Sequence, residues 1–387
     1  FFWMYKSGLL CIFVLLVSFF VTAKEEILQS GDDSYLSREY VVELKEGTNL
    51  EHFMEVHEIS MKRALFTRPN HFIFKTIHEN HHPLFHLSDN VVWFSQQYKH
   101  KRDKRYFYSD PLYSSQWHLK DNSGRYDLNI EDAWDMGYTG SGVLISVVDD
   151  GLDYHHPDIS PSYNSDASFD PVDGDLDPMP DSYSIHGSES AGLAAAAADN
   201  GYCGVGTAPR AGISGVRLLV GDTSDYEEAE ALEYRNDIVD IYSSSWGPTD
   251  DGAHLAGPGP MAEESIENSI TIGRNGKGSI YVWASGNGKD SGDNCNYDGY
   301  ANSRYTIAIG ATGKDGKYAS YSEPCAALIA CSPSSDTLTR NYITTSKTGT
   351  SCETKFGGTS AACPMAAGVI ALCLEANPNL TWRDVQG

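Results

Sequence analysis

Residues 142–150 read GVLISVVDD, an unbroken apolar run closed by two adjacent carboxylates. A strand apolar on both faces belongs inside a sheet that is covered on both sides. After Tyr106 such runs alternate with helical segments. HGSESAGLAAAAAD, beginning at His186, is an alanine-rich helix former. GSIYVWASGNG is a strand running into a glycine-rich turn, and GGTSAACPMAAGVIALCLEAN is a turn followed by an apolar helix, with Pro364 expected in its first turn. This alternation predicts an α/β fold, a parallel sheet with helices on both faces. There is no internal repeat or low-complexity tract.

Upstream, a separate small α+β unit is expected. EYVVELKEG alternates like a strand, Asn49 to Ile59 has helical spacing, HFIFKTI alternates again, and VVWFSQQY reads as a further strand. The unit closes on the basic run KHKRDKR, Lys99 to Arg105. At the start of the chain, Lys6 precedes an apolar run from Leu9 to Val21 that ends in Val-Thr-Ala. This has the charged, apolar and small-residue parts of a secretory signal over residues 1–23, and is shorter than the roughly 20 residues a spanning helix needs. Met4 is the expected start and both ends look arbitrary, so the 387 residues read as a fragment.

Charge is unevenly distributed. Lys24 to Arg105 is almost balanced, 12 Lys+Arg against 13 Asp+Glu, whereas the residues from Tyr106 carry 15 against 40. An acidic second unit argues against nucleic acid as a partner and favours cationic substrates and metal cations. With Cys11 in the leader, seven of the eight cysteines remain in an exported chain, so at least one thiol stays unpaired. No CxxC spacing occurs, which argues against zinc.

A serine hydroxyl becomes a useful nucleophile when an imidazole takes its proton and a carboxylate orients that imidazole. Three segments supply those groups. Asp149 closes an apolar strand, His186 opens a helix, and Ser360 lies in GGTSA at a turn before another helix. Asn287, in ASGNG, can offer a side-chain amide to a developing oxyanion, beside the backbone amide of Ser360.

VVDDGLDYHHPDI, ASFDPVDGDLDP, SSSWGPTDDG, YVWASGNG, CNYDGY, GTSA and LEANPNLTWRD together resemble the furin and kexin-like proprotein convertases of the subtilisin superfamily, from about Tyr40 to Gly387. The resemblance implies a subtilisin-like fold in a calcium-dependent serine endopeptidase of the secretory pathway. Such an enzyme cleaves precursor proteins after paired or multiple basic residues. It implies Asp149, His186 and Ser360 as the triad, with Asn287 completing the oxyanion hole. It places Asp250 and Asp298 at a P1 arginine, Asp150 near P2, and Glu228 and Tyr300 near P4. Asp222 and Asp225 would meet basic residues further upstream, and Ser245, Trp246 and Gly247 would pair with the substrate backbone. Carboxylates suit arginine because they bind its planar guanidinium bidentately.

Calcium takes six to eight oxygen ligands. Three sets are implied: Asp170, Asp175 and Asp177; Asp110, Asp158 and Asn200; and Asp250, Asp293 and Glu323. The implied disulfides are Cys203 with Cys352 and Cys295 with Cys325, leaving Cys331, Cys363 and Cys373. Residues 24–105 would be an inhibitory propeptide removed by cleavage after Arg105, where Arg102, Lys104 and Arg105 form RxKR. An inner cut would fall within MKRALFTR. Residues 106–387 would be the catalytic domain, without the P domain that follows in the family, and membrane anchoring beyond Gly387 is left open. Eight of the 13 histidines fall between Lys24 and Arg105; His71 is expected to act there as an acid sensor. Asn379, in NLT, is a glycosylation acceptor motif.

Three departures from the family pattern stand out. Tyr183 replaces an acid before the catalytic histidine, Ala256 replaces an aspartate, and HGSESAG stands where convertases have HGTRCAG, so Glu189 takes the place of an arginine. The competing reading is a catalytically weak binding protein or chaperone for basic segments. A less specific subtilase would not explain the acidic pocket together with RxKR.

Overall fold

The computed structural model describes residues 35–65, 68–77, 83–99, 108–120, 126–336 and 343–387. The leader and Arg105 lie outside the described residues. The chain divides into two units, Phe1–Asp103 and Lys104–Gly387.

In the first unit, β1 (Tyr35–Leu44), β2 (Ile59–Ala64), β3 (His71–Thr76) and β4 (Val91–Lys99) form an antiparallel sheet in the order β2-β3-β1-β4. Helix α1 (Leu50–Val56) starts at Asn49, whose side chain accepts a hydrogen bond from the His52 amide. The core comprises Tyr40, Val42, Leu44, Phe53, Ile59, Phe74 and Phe85. Strand β2 is unanticipated by the sequence pattern. It is an edge strand in which only Ile59 is buried, so ISMKRA shows no alternation.

The second unit opens with the short helix α2 (Glu131–Asp135) and is built on β5 (Leu144–Asp149), β6 (Gly212–Arg217), β7 (Ile241–Ser244), β8 (Ile280–Ala284), β9 (Thr306–Thr312) and β10 (Leu328–Pro333). Their order is β10-β9-β8-β7-β5-β6, with every pairing parallel. Every residue of β5 is buried. Ile145 and Val147 belong to one core with α3 (His186–Ala195) and α6 (Thr359–Ala376), whereas Leu144 and Val148 belong to a second with α4 (Asp225–Glu233) and α5 (Pro260–Gly276). Successive side chains of a strand point to opposite faces, so a run with apolar residues on both faces serves both helical layers. A short hairpin, β11 (Ile343–Ser346) and β12 (Cys352–Phe356), precedes α6, and α7 (Trp382–Gln386) follows it.

Two local expectations change. The alanine-rich helix ends at Ala195, because Ala196 is extended and the Ala197 amide donates to the Asp158 carbonyl at 2.8 Å. Pro364 is the sixth residue of α6, not part of its first turn. Its missing N–H deprives the Ser360 carbonyl of a helical donor, and the Ser245 hydroxyl donates there instead, at 3.3 Å.

Candidate active site

Strand β5 lies between β6 and β7, so the chain runs from it to β6 on one side and then crosses back to β7 on the other. The carboxyl ends of strands at such a switch point form a crevice where ligands bind. Asp149 ends β5, Ser245 to Gly247 follow β7, and Asn287 follows β8.

His186 Nδ1 donates to the Asp149 carboxylate, at 2.8 Å from Oδ1 and 2.9 Å from Oδ2. That bond selects the tautomer whose Nε2 accepts a proton. Asp150 fixes the start of α3 by accepting from the His186 amide at 3.1 Å and the Gly187 amide at 2.7 Å, two donors a helix start leaves unpaired. Gly187 has no room for a side chain, since a Cβ there would lie 2.2 Å from the Gly151 carbonyl oxygen. The Phe356 ring meets the imidazole edge-on at 5.4 Å. Burial disfavours the imidazolium, but the charge and hydrogen bond of Asp149, then Asp150 and Glu189, outweigh it and raise His186 to about 9.

Ser360 is the second residue of α6, and its hydroxyl is directed to the Ser245 carbonyl, at 3.5 Å. Asn287 Oδ1 accepts from the Thr359 amide at 2.8 Å and the Thr359 hydroxyl at 3.0 Å, which orients the amide with its NH2 group as the remaining donor. The Asn287 and Gly288 amides donate to Asp250 and Glu323, each at 2.8 Å. The loop that carries Asn287 is therefore held by two carboxylates.

Asp298 is half-buried and lies two residues before Tyr300, whose ring packs with those of Trp246 and Trp283 at 4.7–5.1 Å. Its Oδ1 accepts from the Tyr300 amide at 2.7 Å and the Ala301 amide at 3.1 Å. Burial raises Asp298 to about 6 against those two bonds, with smaller contributions from Asp250 and Asp293. A Cβ at position 247 would lie 2.6 Å from Asp298 Oδ2, so Gly247 leaves that oxygen uncovered. Glu228 accepts from Thr223 at 3.0 Å and from the Tyr300 hydroxyl. Asp225 is engaged elsewhere, accepting from the Met261 and Ala262 amides at the start of α5. Asp222 is exposed, and Tyr183 is 94% exposed three residues before His186.

The three implied calcium sets differ in geometry. Ligand oxygens of Asp250, Asp293 and Glu323 lie within 4.8 Å of one another. Among the described residues no cationic side chain pairs with them, and burial, then Asp250, Asp293 and Asp298, raises Glu323 to about 7 against its bond from Gly288. A Cβ on Gly286 would lie 2.4 Å from Glu323 Oε1. This is a cradle of hard oxygens that fits a divalent cation such as calcium. Asp110, Asp158 and Asn200 are also adjacent: Asn200 donates to Asp158 Oδ1 at 2.8 Å through its side chain and to Asp110 Oδ1 at 3.2 Å through its amide. Asp170, Asp175 and Asp177 do not converge in this way. Asp170 is paired with the buried Arg217, which also binds Asp173 at 2.9 Å and Asp181 at 3.0 Å, while Asp175 and Asp177 accept from nearby backbone amides. The Arg217 partnership was not anticipated, because nothing within the aspartate run signals it. A grouping of His156, Asp158 and Cys203 offers no thiolate, since that sulfur is in a disulfide.

Cys203–Cys352 and Cys295–Cys325 are disulfides, and Cys331, Cys363 and Cys373 are free. Cys363 lies behind Ser360, its thiol against the Ser244 and Val282 carbonyls, and burial pushes it up to about 12, which opposes the thiolate reactivity that thiol reagents need. Asn379 is exposed, but the hydroxyl of Thr381 in its motif is held in a capping box with Asp384 at the start of α7.

A family model described as "Subtilase family" matches residues 140–387. The chain belongs to the subtilase family. Within it, the chain is 43% identical over 343 residues to Furin-1 of Xenopus laevis, a match covering 87% of this chain and 42% of that protein. It is 44% identical to human furin, covering 80% of this chain and 40% of that protein, and 43% identical to the type 6 proprotein convertase subtilisin/kexin of Rattus norvegicus, covering 79% and 34%. The chain thus spans about two fifths or less of these relatives. Among solved structures, a serine protease of Aeromonas sobria is similar with a TM-score of 0.64 at 25% identity, covering 72% of this chain and 57% of that one.

Proposed function

We propose that residues 106–387 form the catalytic part of a secretory-pathway serine endoprotease that cuts precursor proteins after paired or multiple basic residues. The observation that carries this reading is the placement of Asp149, His186, Ser360 and Asn287 at the carboxyl end of one parallel sheet, with half-buried Asp298 on a nearby loop. Ser360 Oγ attacks the scissile carbonyl carbon while its proton passes to His186 Nε2, and Asp149 stabilises the imidazolium that forms. The Asn287 NH2 and the Ser360 amide bind the oxyanion, a contribution worth about 100 to 1,000 fold in rate for one such donor. His186 then returns the proton to the leaving amine, and water releases the acyl group by the same steps.

Asp298 provides the carboxylate for a P1 guanidinium, with Asp250 beside it and Trp246 and Gly247 lining the approach. Asp150 already accepts two helix amides, and Tyr183 offers an exposed ring where an acid would recruit a basic P2 side chain. P1 arginine is therefore required and P2 selection relaxed. Tyr300, held by Glu228, stands near P4, and Ala256 provides no charge there.

Calcium fits Asp250, Asp293 and Glu323 best, with Asp110, Asp158 and Asn200 as a second set and Asp170, Asp175 and Asp177 as a third in which Arg217 already provides positive charge. A bound calcium supplies charge that offsets clustered carboxylates. Because Asp250 and Glu323 also hold the Asn287 loop, their order bears directly on the oxyanion donor.

Residues 24–105 act, in this reading, as the enzyme's own inhibitor, released by cleavage after Arg105; the division of the chain at Asp103 supports it. His71 gives less support to an acid trigger. Its Nε2 lies 3.7 Å from Glu43 Oε2 across the β1–β3 pair, and its Nδ1 lies 2.8 Å from the Pro69 carbonyl oxygen. The alternative, a weakly catalytic binder of basic segments, draws on the Ser360 hydroxyl facing Ser245 rather than the imidazole. Hydrolysis of Arg-Xaa-Lys-Arg peptides and of matched peptides with P1 leucine, with and without chelator, separates the readings. Turnover of the arginine peptide alone, lost on chelation and in Ser360→Ala, is expected. Equal turnover of both peptides overturns the pocket assignment, and none at all in a folded chain favours the binder.

A further inference from the structure

Glu189 is the fourth residue of α3, and residues three apart on a helix share a face, so its carboxylate follows the imidazole of His186 by one turn. It is only 5% exposed, and among the described residues its carboxylate accepts no hydrogen bond. Helix α3 lies against the β11–β12 hairpin here, with the Thr345 hydroxyl donating to the Glu189 carbonyl at 2.8 Å. Thr345 pairs across the hairpin with Glu353, whose side chain holds Lys347 at 2.7 Å. The same strand β12 ends at Phe356, whose ring packs on His186. One short hairpin therefore touches both the imidazole and the surroundings of the buried acid.

We propose that Glu189 is a positioning residue that couples the protonation of His186 to the β11–β12 hairpin, holding the imidazolium when ionised and releasing it when protonated. This rests on the reading of His186 as the general base. The charged groups facing Glu189 are Glu353, His186, Lys347 and Asp150. Burial, then Glu353, raises Glu189 to about 7, while His186 and Lys347 oppose the shift. Glu189 therefore titrates before His186 as the pH rises. Its new charge then delays loss of the imidazolium, so the free base appears at a higher pH than Asp149 alone would set.

The test is an NMR titration of the His186 ring in the Ser360→Ala chain, with glutamates labelled at the carboxyl carbon. Glu189→Gln is expected to lower the His186 midpoint by roughly half a pH unit, less than the 1–3 units typical of a carboxylate in direct contact. Glu189→Asp is expected to restore it in part. An unmoved midpoint in a folded Glu189→Gln chain overturns the proposal. Should that variant fail to fold, the unsubstituted Ser360→Ala chain still decides. His186 must show an inflection at the midpoint of the Glu189 carboxyl signal, and a single smooth His186 transition overturns the coupling. In the Ser360-containing chain, the acid limb of the rate profile should move down with Glu189→Gln at an unchanged high-pH plateau. Absence of any hydrolysis there would count against the protease reading alone, because the ring titration does not depend on turnover.

Discussion

Two acidic clusters in the second unit solve the same electrostatic problem differently. Around Asp170, Asp173 and Asp181 the chain provides its own cation, the guanidinium of Arg217, with Arg217 and Asp170 both almost wholly buried. Around Asp250, Asp293 and Glu323 it provides backbone amides from Gly252, Asn287 and Gly288 but no cationic side chain among the described residues. Density of aspartate in a sequence therefore does not by itself locate a metal. What distinguishes the clusters is whether the fold returns a positive side chain to them, a contact made here between residues 36 to 47 positions apart.

The sharpest way to break this contrast is Arg217→Met. It leaves Asp170 buried and uncompensated, and removing one partner of a buried pair costs about 3–5 kcal/mol. Urea unfolding should show that loss with calcium present or absent. A loss that calcium fully restores would mean that the two clusters are equivalent. The next largest effect concerns the other cluster. If a cation binds only the folded chain, saturation to about 100 times its dissociation constant adds about 2.7 kcal/mol. That increment should vanish in Asp293→Asn and persist in Arg217→Met. In Asp293→Asn turnover should fall further than stability does, because the Asn287 loop loses part of its support. An undiminished calcium increment in Asp293→Asn would place the binding elsewhere.

The same contrast explains what was legible in the sequence. GVLISVVDD is legible as a two-sided buried strand because its apolar residues fall at both odd and even positions, and Asp149, His186, Asn287 and Ser360 stand at or near element ends that such patterns locate well. Arg217 cannot be assigned to Asp170 from sequence, nor can Asp225 be seen to cap the amides at the start of α5, because both depend on which loops the sheet order brings together. Strand β2 was invisible for a different reason: an edge strand with one buried residue has no period to read. Pro364 was misplaced by two positions or more because the helix begins at Thr359, and the hydroxyl that compensates for it comes from Ser245, on a different strand end.

Imidazoles repeat the contrast on a smaller scale. His186 has Asp149 and is raised to about 9, whereas His118 is fully buried with neither ring nitrogen bonded among the described residues, and burial alone lowers it to about 3. In the unfolded chain His118 takes up a proton near its ordinary value of about 6.5, while in the folded chain it does not. Its contribution to stability is therefore intact above pH 6.5 and falls by about 1.4 kcal/mol per pH unit on acidification toward pH 3. His118→Phe removes the titrating group while keeping a ring of similar size. Relative to the unsubstituted chain it should be stabilised by about 2 kcal/mol at pH 5 and changed far less at pH 7.5, read from urea unfolding at the two pH values. If both chains lose the same stability between those values, His118 already has a partner that satisfies its protonated ring. The division between groups the fold compensates and groups it leaves alone would then fail for the imidazoles.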